Sequence, residues 1–200
     1  MIYVAVALDA EARPLIAHFQ LEKSDALDPL SVYRRSDLAL IVAGVGKDSM
    51  ASSVAALAKA IPSDESSAWL NMGVAGHRDY GIGTVVLAGQ VTDEETGTLY
   101  QLSPLADLHL QTCEVRTVAH VETRYETEAV YDMEAAAFCQ QTADLTSPEL
   151  IQVLKIVSDN RRSGTLCVSA HQVQGLVEEN LPRVDLVVSS LHRQARELSQ

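Results

Sequence analysis

Cysteine is scarce in this chain, and its three residues, Cys113, Cys139 and Cys167, show no CxxC spacing. An odd, scattered set excludes a disulfide framework and a cysteine-rich zinc site, so the three read as reduced core thiols. Nothing else in the sequence calls for a metal or a cofactor. Long apolar runs are also missing: none approaches the roughly 18 residues of a membrane span. The first residues, Met1-Ile2-Tyr3-Val4, enter an apolar run with no basic segment ahead of it, so a cytoplasmic location is the expectation. Positive charge is in short supply as well, with 15 Lys and Arg against 27 Asp and Glu, a net charge of −12. The basic residues form no stripe, which excludes a nucleic-acid partner held by phosphate neutralisation. An acidic chain can still take a small uncharged polar ligand, because net charge governs steering more than pocket chemistry. Internal repeats and low-complexity tracts are absent.

What is present suits one domain with a substantial core: 200 residues, 47% of them hydrophobic. Residues 2–8 (IYVAVAL), 38–43 (LALIVA) and 151–157 (IQVLKIV) are runs rich in β-branched residues, apolar almost throughout, the pattern of central strands covered on both faces. The first run is expected to leave the sheet over 9–14 and to enter a short helix at 15–19. Residues 31–35 and 38–43 form a hairpin about Ser36-Asp37. Gly44-Val45-Gly46 then opens a helix over 48–60, capped by Asp48 or Ser49 and closed by Pro62. That Gly-x-Gly is a weak anion-cradle pattern, since it lacks the third glycine and the acid of a dinucleotide fingerprint. A short strand at 68–72 leads into the glycine-bracketed loop Gly73-Val74-Ala75-Gly76. Strands follow at 84–91, 98–100, 115–119 and 129–132, with a charged link over 122–128. A helix is expected at 134–143, and after the strand 151–157 another at 166–181, broken or kinked at Pro182 before the amphipathic 185–198. Alternating strands and helices with an early hairpin predict an α/β fold, a three-layer α/β/α sandwich over a central mixed β-sheet.

Three acids stand where such a fold places its chemistry. Glu11 follows the first strand, Glu134 sits where the strand ending in Asp132 turns into an alanine-rich helix, and Asp159 follows the strand 151–157. Ligands of open α/β sheets bind outside the carboxyl ends of the strands, so the three are candidates to converge on one pocket. Singly, each has a plainer reading, as a solvated loop acid or a first-turn acid complementing a helix dipole.

Taken together, Leu8-Asp9-Ala10-Glu11-Ala12, Ala43-Gly44-Val45-Gly46-Lys47, Asn71-Met72-Gly73-Val74-Ala75-Gly76, Asp132-Met133-Glu134-Ala135-Ala136-Ala137 and Lys155-Ile156-Val157-Ser158-Asp159-Asn160 resemble the nucleoside phosphorylase/nucleosidase superfamily. The nearest branch is that of the methylthioadenosine/S-adenosylhomocysteine nucleosidases. The blocks run in family order to about residue 160. The resemblance implies a nucleoside phosphorylase-like fold, a small-molecule nucleoside as partner, and a homodimer or higher homo-oligomer. It also implies roles: Asp159 on N7 of a purine leaving group, oriented by Ser158; Glu11 as base on the attacking water; Glu134 on the ribose hydroxyls; Met133 against the sugar; Val74, Ala75 and Gly76 along the substrate. General chemistry asks for the same division, since an oxocarbenium-like transition state needs an acid on the leaving group, a base opposite it and negative charge near the ribose.

Two departures from the family pattern qualify the expectation. Phosphorylases carry an arginine and a serine to hold phosphate where this chain has Asn71 and Val74, and a valine side chain has no donor. Water is therefore favoured as acceptor, with Lys155, where the nucleosidases carry an arginine, orienting it as a point charge. The stretch between Val118 and Asp132 is shorter than in the family and lacks its base-stacking aromatic. Tyr125 is the candidate for that role, although a link rich in Glu122, Glu126 and Glu128 predicts a solvated, open rim. A phosphorylase, and a nucleoside-binding relative without chemistry, are the competing readings.

Overall fold

The computed structural model describes residues 1–163 and 168–198 and contains ten strands and four α-helices among them. Strand β1 (Ile2–Val6) is wholly buried and alternates its side chains between two cores. Tyr3 and Ala5 face the core under α2 (Lys47–Ala60) and α3 (Ala135–Thr142), to which Met50, Val54, Leu57 and Phe138 contribute. Ile2, Val4 and Val6 face the core under α1 (Asp9–Phe19) and α4 (Ala170–Leu198), built from Leu15, Phe19, Val177, Val184, Val187 and Leu191. A strand apolar in both registers has to be roofed on both faces, and two pairs of helices roof it. The three-layer α/β/α architecture expected above is the one observed.

The central strand is β5 (Ala68–His77), which lies parallel to β1 on one side and to β10 (Ile151–Asn160) on the other. Beyond β1 come β4 (Leu38–Val42), parallel to it, then the antiparallel β3 (Val32–Arg34) and β2 (Glu22–Lys23). On the other side β10 pairs antiparallel with β6 (Val85–Asp93), which also carries the short return strand β7 (Leu99–Gln101). The strand β6 runs parallel to β8 (Gln111–Thr117), β8 parallel to β9 (Val130–Asp132), and β9 returns antiparallel to the far end of β5. The mixed sheet therefore curls until β5, β10, β6, β8 and β9 close on one another. The carboxyl ends of β1, β5, β9 and β10 all open toward the mouth of that curl.

Several boundaries differ from expectation for identifiable reasons. Helix α1 begins at Asp9 rather than at residue 15 and passes through Pro14, because Glu11 reaches back to the Leu8 N–H and starts the helix early. Strand β5 continues through Gly73 and Gly76 instead of looping there, since β10 pairs with it along its whole length. Neither Asp48 nor Ser49 caps α2, which starts at Lys47 behind Gly46. Helix α4 is continuous across Pro182, because Val177 on one side and Val184, Val187 and Leu191 on the other bury against the same core. The expected helix start at residue 166 and the thiol of Cys167 lie outside the described residues. Cys139 is buried as expected, and burial pushes its thiol up to about 12; the half-buried Cys113 is pushed up to about 11 for the same reason. No helix among the described residues is long and apolar enough to cross a membrane.

Candidate active site

A cavity of about 280 Å³ opens at the carboxyl ends of β1, β5, β9 and β10. It sits near the low end of the roughly 300–1,000 Å³ of small-ligand pockets. Glu11, Glu134 and Asp159 all line it, together with Met133, Ser158, Val74, Ala75, Gly76 and Tyr125. The structure thus brings together nine of the ten residues proposed from sequence; Lys155 lies beneath the site instead.

Asp159 owes its position to an irregularity in β10. Val157 pairs with Ala75 and Asp159 with Gly76, which leaves Ser158 as an extra residue, a β-bulge. A regular strand would send Ser158 and Asp159 to opposite faces, whereas the bulge turns both toward the cavity. The Ser158 hydroxyl donates to Asp159 Oδ1 at 2.6 Å and lies 3.3 Å from the Ala75 carbonyl. Asp159 Oδ2 accepts the phenol hydroxyl of Tyr125. These two bonds hold the Asp159 carboxylate between the hydroxyls of Ser158 and Tyr125. Asp159 is only 7% exposed and belongs to the strand proper, not to a solvated loop.

Glu11 is held just as firmly by backbone donors. Its Oε2 accepts the N–H groups of Ala7 and Leu8 at 3.0 and 2.9 Å, and its Oε1 accepts that of Val74 at 2.9 Å. Gly73 makes room for it, because a Cβ there would stand 2.9 Å from Glu11 Oε1. Burial pushes the Glu11 carboxyl above its ordinary range, against the pull of the three N–H groups and of Lys155.

Glu134 does not serve its own helix. Asp132 Oδ2 accepts the N–H groups of Glu134 and Ala135 at 3.3 and 2.8 Å, and so takes over the N-terminus of α3. Glu134 is freed to face the cavity, where its Oε1 accepts the Gly46 N–H at 2.8 Å. Burial raises its pKa and Asp132 adds to the effect, while Lys155 and the Gly46 N–H oppose it. An acid whose folded pKa lies above its unfolded one favours the fold where both forms are protonated, and loses that advantage as pH rises through the folded pKa. At neutral pH an ionised Glu134 therefore costs stability. Glu134→Gln is expected to raise the melting temperature at pH 7, by about 2–4 °C for each kcal/mol relieved, and to bring no gain near pH 4. Glu11→Gln is expected to lower the melting temperature at both pH values, through a stability loss of about 1–3 kcal/mol, because an amide N–H₂ would face a backbone N–H with no acceptor. Melting both variants at the two pH values checks the contrast; equal shifts would remove the distinction.

Lys155 departs from expectation. It is 1% exposed, does not line the cavity, and its Nζ lies 2.7 Å from Asp132 Oδ2 in a fully buried ion pair. It cannot touch a water in the cavity as placed. Burial alone would drag its pKa down, but Asp132, Glu134 and Glu11 together hold it raised, so it stays a cation among acids. Asp132 is completed by the Thr117 hydroxyl, which donates to Oδ1 at 2.7 Å. Sequence reasoning assigned no role to Asp132 or Thr117. The one charged residue in a run apolar almost throughout, Lys155, is the available signal, because such a charge needs a buried partner.

The anion-cradle reading of Gly44-Val45-Gly46 loses two of its three N–H donors. The Gly44 N–H donates to the Ala7 carbonyl and that of Gly46 to Glu134. Nor is Asn71 a substitute donor in the pocket: it is buried outside the cavity, and its amide donates to the Ala5 carbonyl at 3.2 Å. His120, on the link that follows β8, is exposed and does not line the cavity. The open rim expected over residues 120–128 is overturned: Glu126 and Glu128 are exposed as their charge predicts, but Tyr125 is turned inward and only 1% exposed. No group of three or more His, Cys, Asp or Glu among the described residues is arranged to hold a metal.

A curled mixed sheet between two helical layers, with acids gathered where its parallel strands end, defines the nucleoside phosphorylase-like fold, and solved structures bear this out. The 5'-methylthioadenosine nucleosidase of Arabidopsis thaliana superposes with a TM-score of 0.81 over 95% of each chain at 18% identity. The 5'-methylthioadenosine/S-adenosylhomocysteine nucleosidase of Colwellia psychrerythraea, solved in complex with adenine, gives 0.72 at 17% identity over 97% of this chain and 95% of its own. Futalosine hydrolase of Helicobacter pylori gives 0.68 at 14% identity, over 91% and 97%. No protein-family model matches the chain, and neither does any curated protein sequence. The likeness read from the sequence blocks thus holds at the level of the fold.

Proposed function

We propose that this protein is an N-ribosyl hydrolase, a nucleosidase cleaving the glycosidic bond of a purine or purine-like ribonucleoside of the methylthioadenosine/S-adenosylhomocysteine type. The observation that carries the reading is the convergence of Glu11, Glu134 and Asp159 in one cavity at the carboxyl ends of the strands. Asp159 engages the leaving base, oriented by Ser158. Glu134, beside Met133, holds the ribose hydroxyls and offsets developing positive charge. Glu11, held at the cavity wall by the N–H groups of Ala7, Leu8 and Val74, activates water as general base. Lys155 acts from below, its charge keeping Glu11 and Glu134 from drifting further toward the protonated form.

Water rather than phosphate is the acceptor in this reading, since Val74 presents no side-chain donor and its N–H is given to Glu11. A panel of purine ribonucleosides, 5'-methylthioadenosine among them, incubated with and without phosphate is expected to release free base at the same rate in both series. Ribose 1-phosphate formed in step with the base would replace the hydrolase by a phosphorylase, and nucleoside binding without any release would leave a non-catalytic binding protein. We further propose a cytoplasmic homodimer or larger homo-oligomer. The apolar residues Val45 and Val121, 51% and 65% exposed at the cavity mouth, support a covering subunit there.

A further inference from the structure

The segment from Val118 to Glu128 crosses the cavity mouth and is pinned at several points. Arg161, just past β10, donates from Nε and Nη2 to the carbonyls of Arg124 and Tyr125 at 3.0 and 2.8 Å. His77 Nδ1 accepts the N–H groups of Asp79 and Tyr80, so its Nε2 carries the hydrogen and donates to the Glu128 carbonyl at 2.9 Å. Between these anchors Tyr125 adopts φ 49°, a left-handed conformation that bulky side chains avoid. That conformation drives its ring inward until the phenol hydroxyl meets Asp159 Oδ2. The notch it fills exists because residue 76 is glycine: a Cβ there would lie 2.6 Å from the Tyr125 ring and hydroxyl and 2.9 Å from Asp159 Oδ2.

We propose that Tyr125 occupies, in the free protein, the place of the leaving base, and that a base reaches Asp159 only by displacing the phenol. This rests on the reading of Asp159 as the group that engages the base. One carboxylate oxygen already belongs to Ser158, and the other cannot serve the phenol and a base together in the same notch. The bond to Asp159 holds a fraction of the molecules closed, and apparent affinity falls in proportion to that fraction. Tyr125 is therefore an affinity-setting residue, and its ring, once displaced, is carried on the same segment to lie against the base.

Tyr125→Phe separates the hydroxyl from the ring. It keeps the shape and removes the bond that competes with the base, so adenine is expected to bind about tenfold more tightly by calorimetry and the nucleoside KM to fall by a similar factor. Tyr125→Ala removes the ring as well and is expected to bind adenine more weakly than Tyr125→Phe. Equal or weaker adenine binding by Tyr125→Phe, with nucleoside cleavage by the wild type intact, overturns the role of Tyr125 alone. Tighter adenine binding by Tyr125→Phe with no cleavage by either protein upholds the displacement and overturns the hydrolase reading. Failure of both proteins to bind adenine, with no base released from any nucleoside of the panel, overturns both.

Discussion

Asp159→Asn is expected to slow base release by about 10²–10⁴, the range that a positioned general acid contributes, while the protein melts close to the wild type. Proton transfer is lost, but the local hydrogen bonding survives. The Asp159 carboxylate accepts from two hydroxyls, those of Ser158 and Tyr125, and a hydroxyl can donate or accept. An asparagine therefore finds one hydroxyl donating to its carbonyl and another accepting from its amide, with no buried group orphaned. The Glu11 carboxylate accepts from three backbone N–H groups, which only donate, so the same exchange there damages the fold. Spectrophotometric base release and thermal melting, run side by side, check both halves of the statement. Near-wild-type turnover would remove Asp159 from the mechanism, and a collapse in melting temperature would show that the acid is structural.

These contrasts bear on how much of the molecule was legible beforehand. The fold was, because apolar runs covered on both faces leave few architectures open, and the acids at their ends mark where such sheets bind ligands. The positions of Glu11, Glu134 and Asp159 in one cavity followed from that logic. What stayed hidden was set by tertiary register. The β-bulge that swings Ser158 and Asp159 to one side depends on how β10 pairs with β5, and nothing in the local sequence of β10 announces it. The inward turn of Tyr125 depends on Gly76, 49 residues earlier, and on Arg161, which follows β10. Charge density over residues 122–128 predicts solvated acids, and Glu126 and Glu128 are exposed, but Glu122 is half-buried at the cavity and Tyr125 turns inward between them. Lys155 was misplaced for a related reason. Its match to a family arginine drew attention to the ligand, whereas burial on both faces of β10 demanded a partner inside the protein, and Asp132 supplies it.

That pair is where the largest loss of stability is expected. Lys155→Met keeps much of the apolar stem but leaves Asp132, whose side chain is 0% exposed, as an uncompensated buried anion, and breaking a buried pair from one side costs about 3–5 kcal/mol. The cost extends to the site, because the Lys155 charge opposes the rise in pKa of both Glu11 and Glu134. Without it both acids move further toward protonation, and activity limited by an ionised Glu11 shifts to higher pH. Lys155→Met combined with Asp132→Asn is expected to recover most of the stability. The asparagine is neutral, and its side-chain oxygen can still take the Ala135 N–H that Asp132 now accepts. The double variant is not expected to recover the pH profile, since the cation is still missing. Urea unfolding of the two variants, with pH–rate curves for each, separates the contributions. A single variant that unfolds at the wild-type urea midpoint would mean that the pair contributes nothing net. An unshifted pH profile would mean that Lys155 does not reach the acids through its charge, leaving burial and the backbone N–H groups to set the state of Glu11.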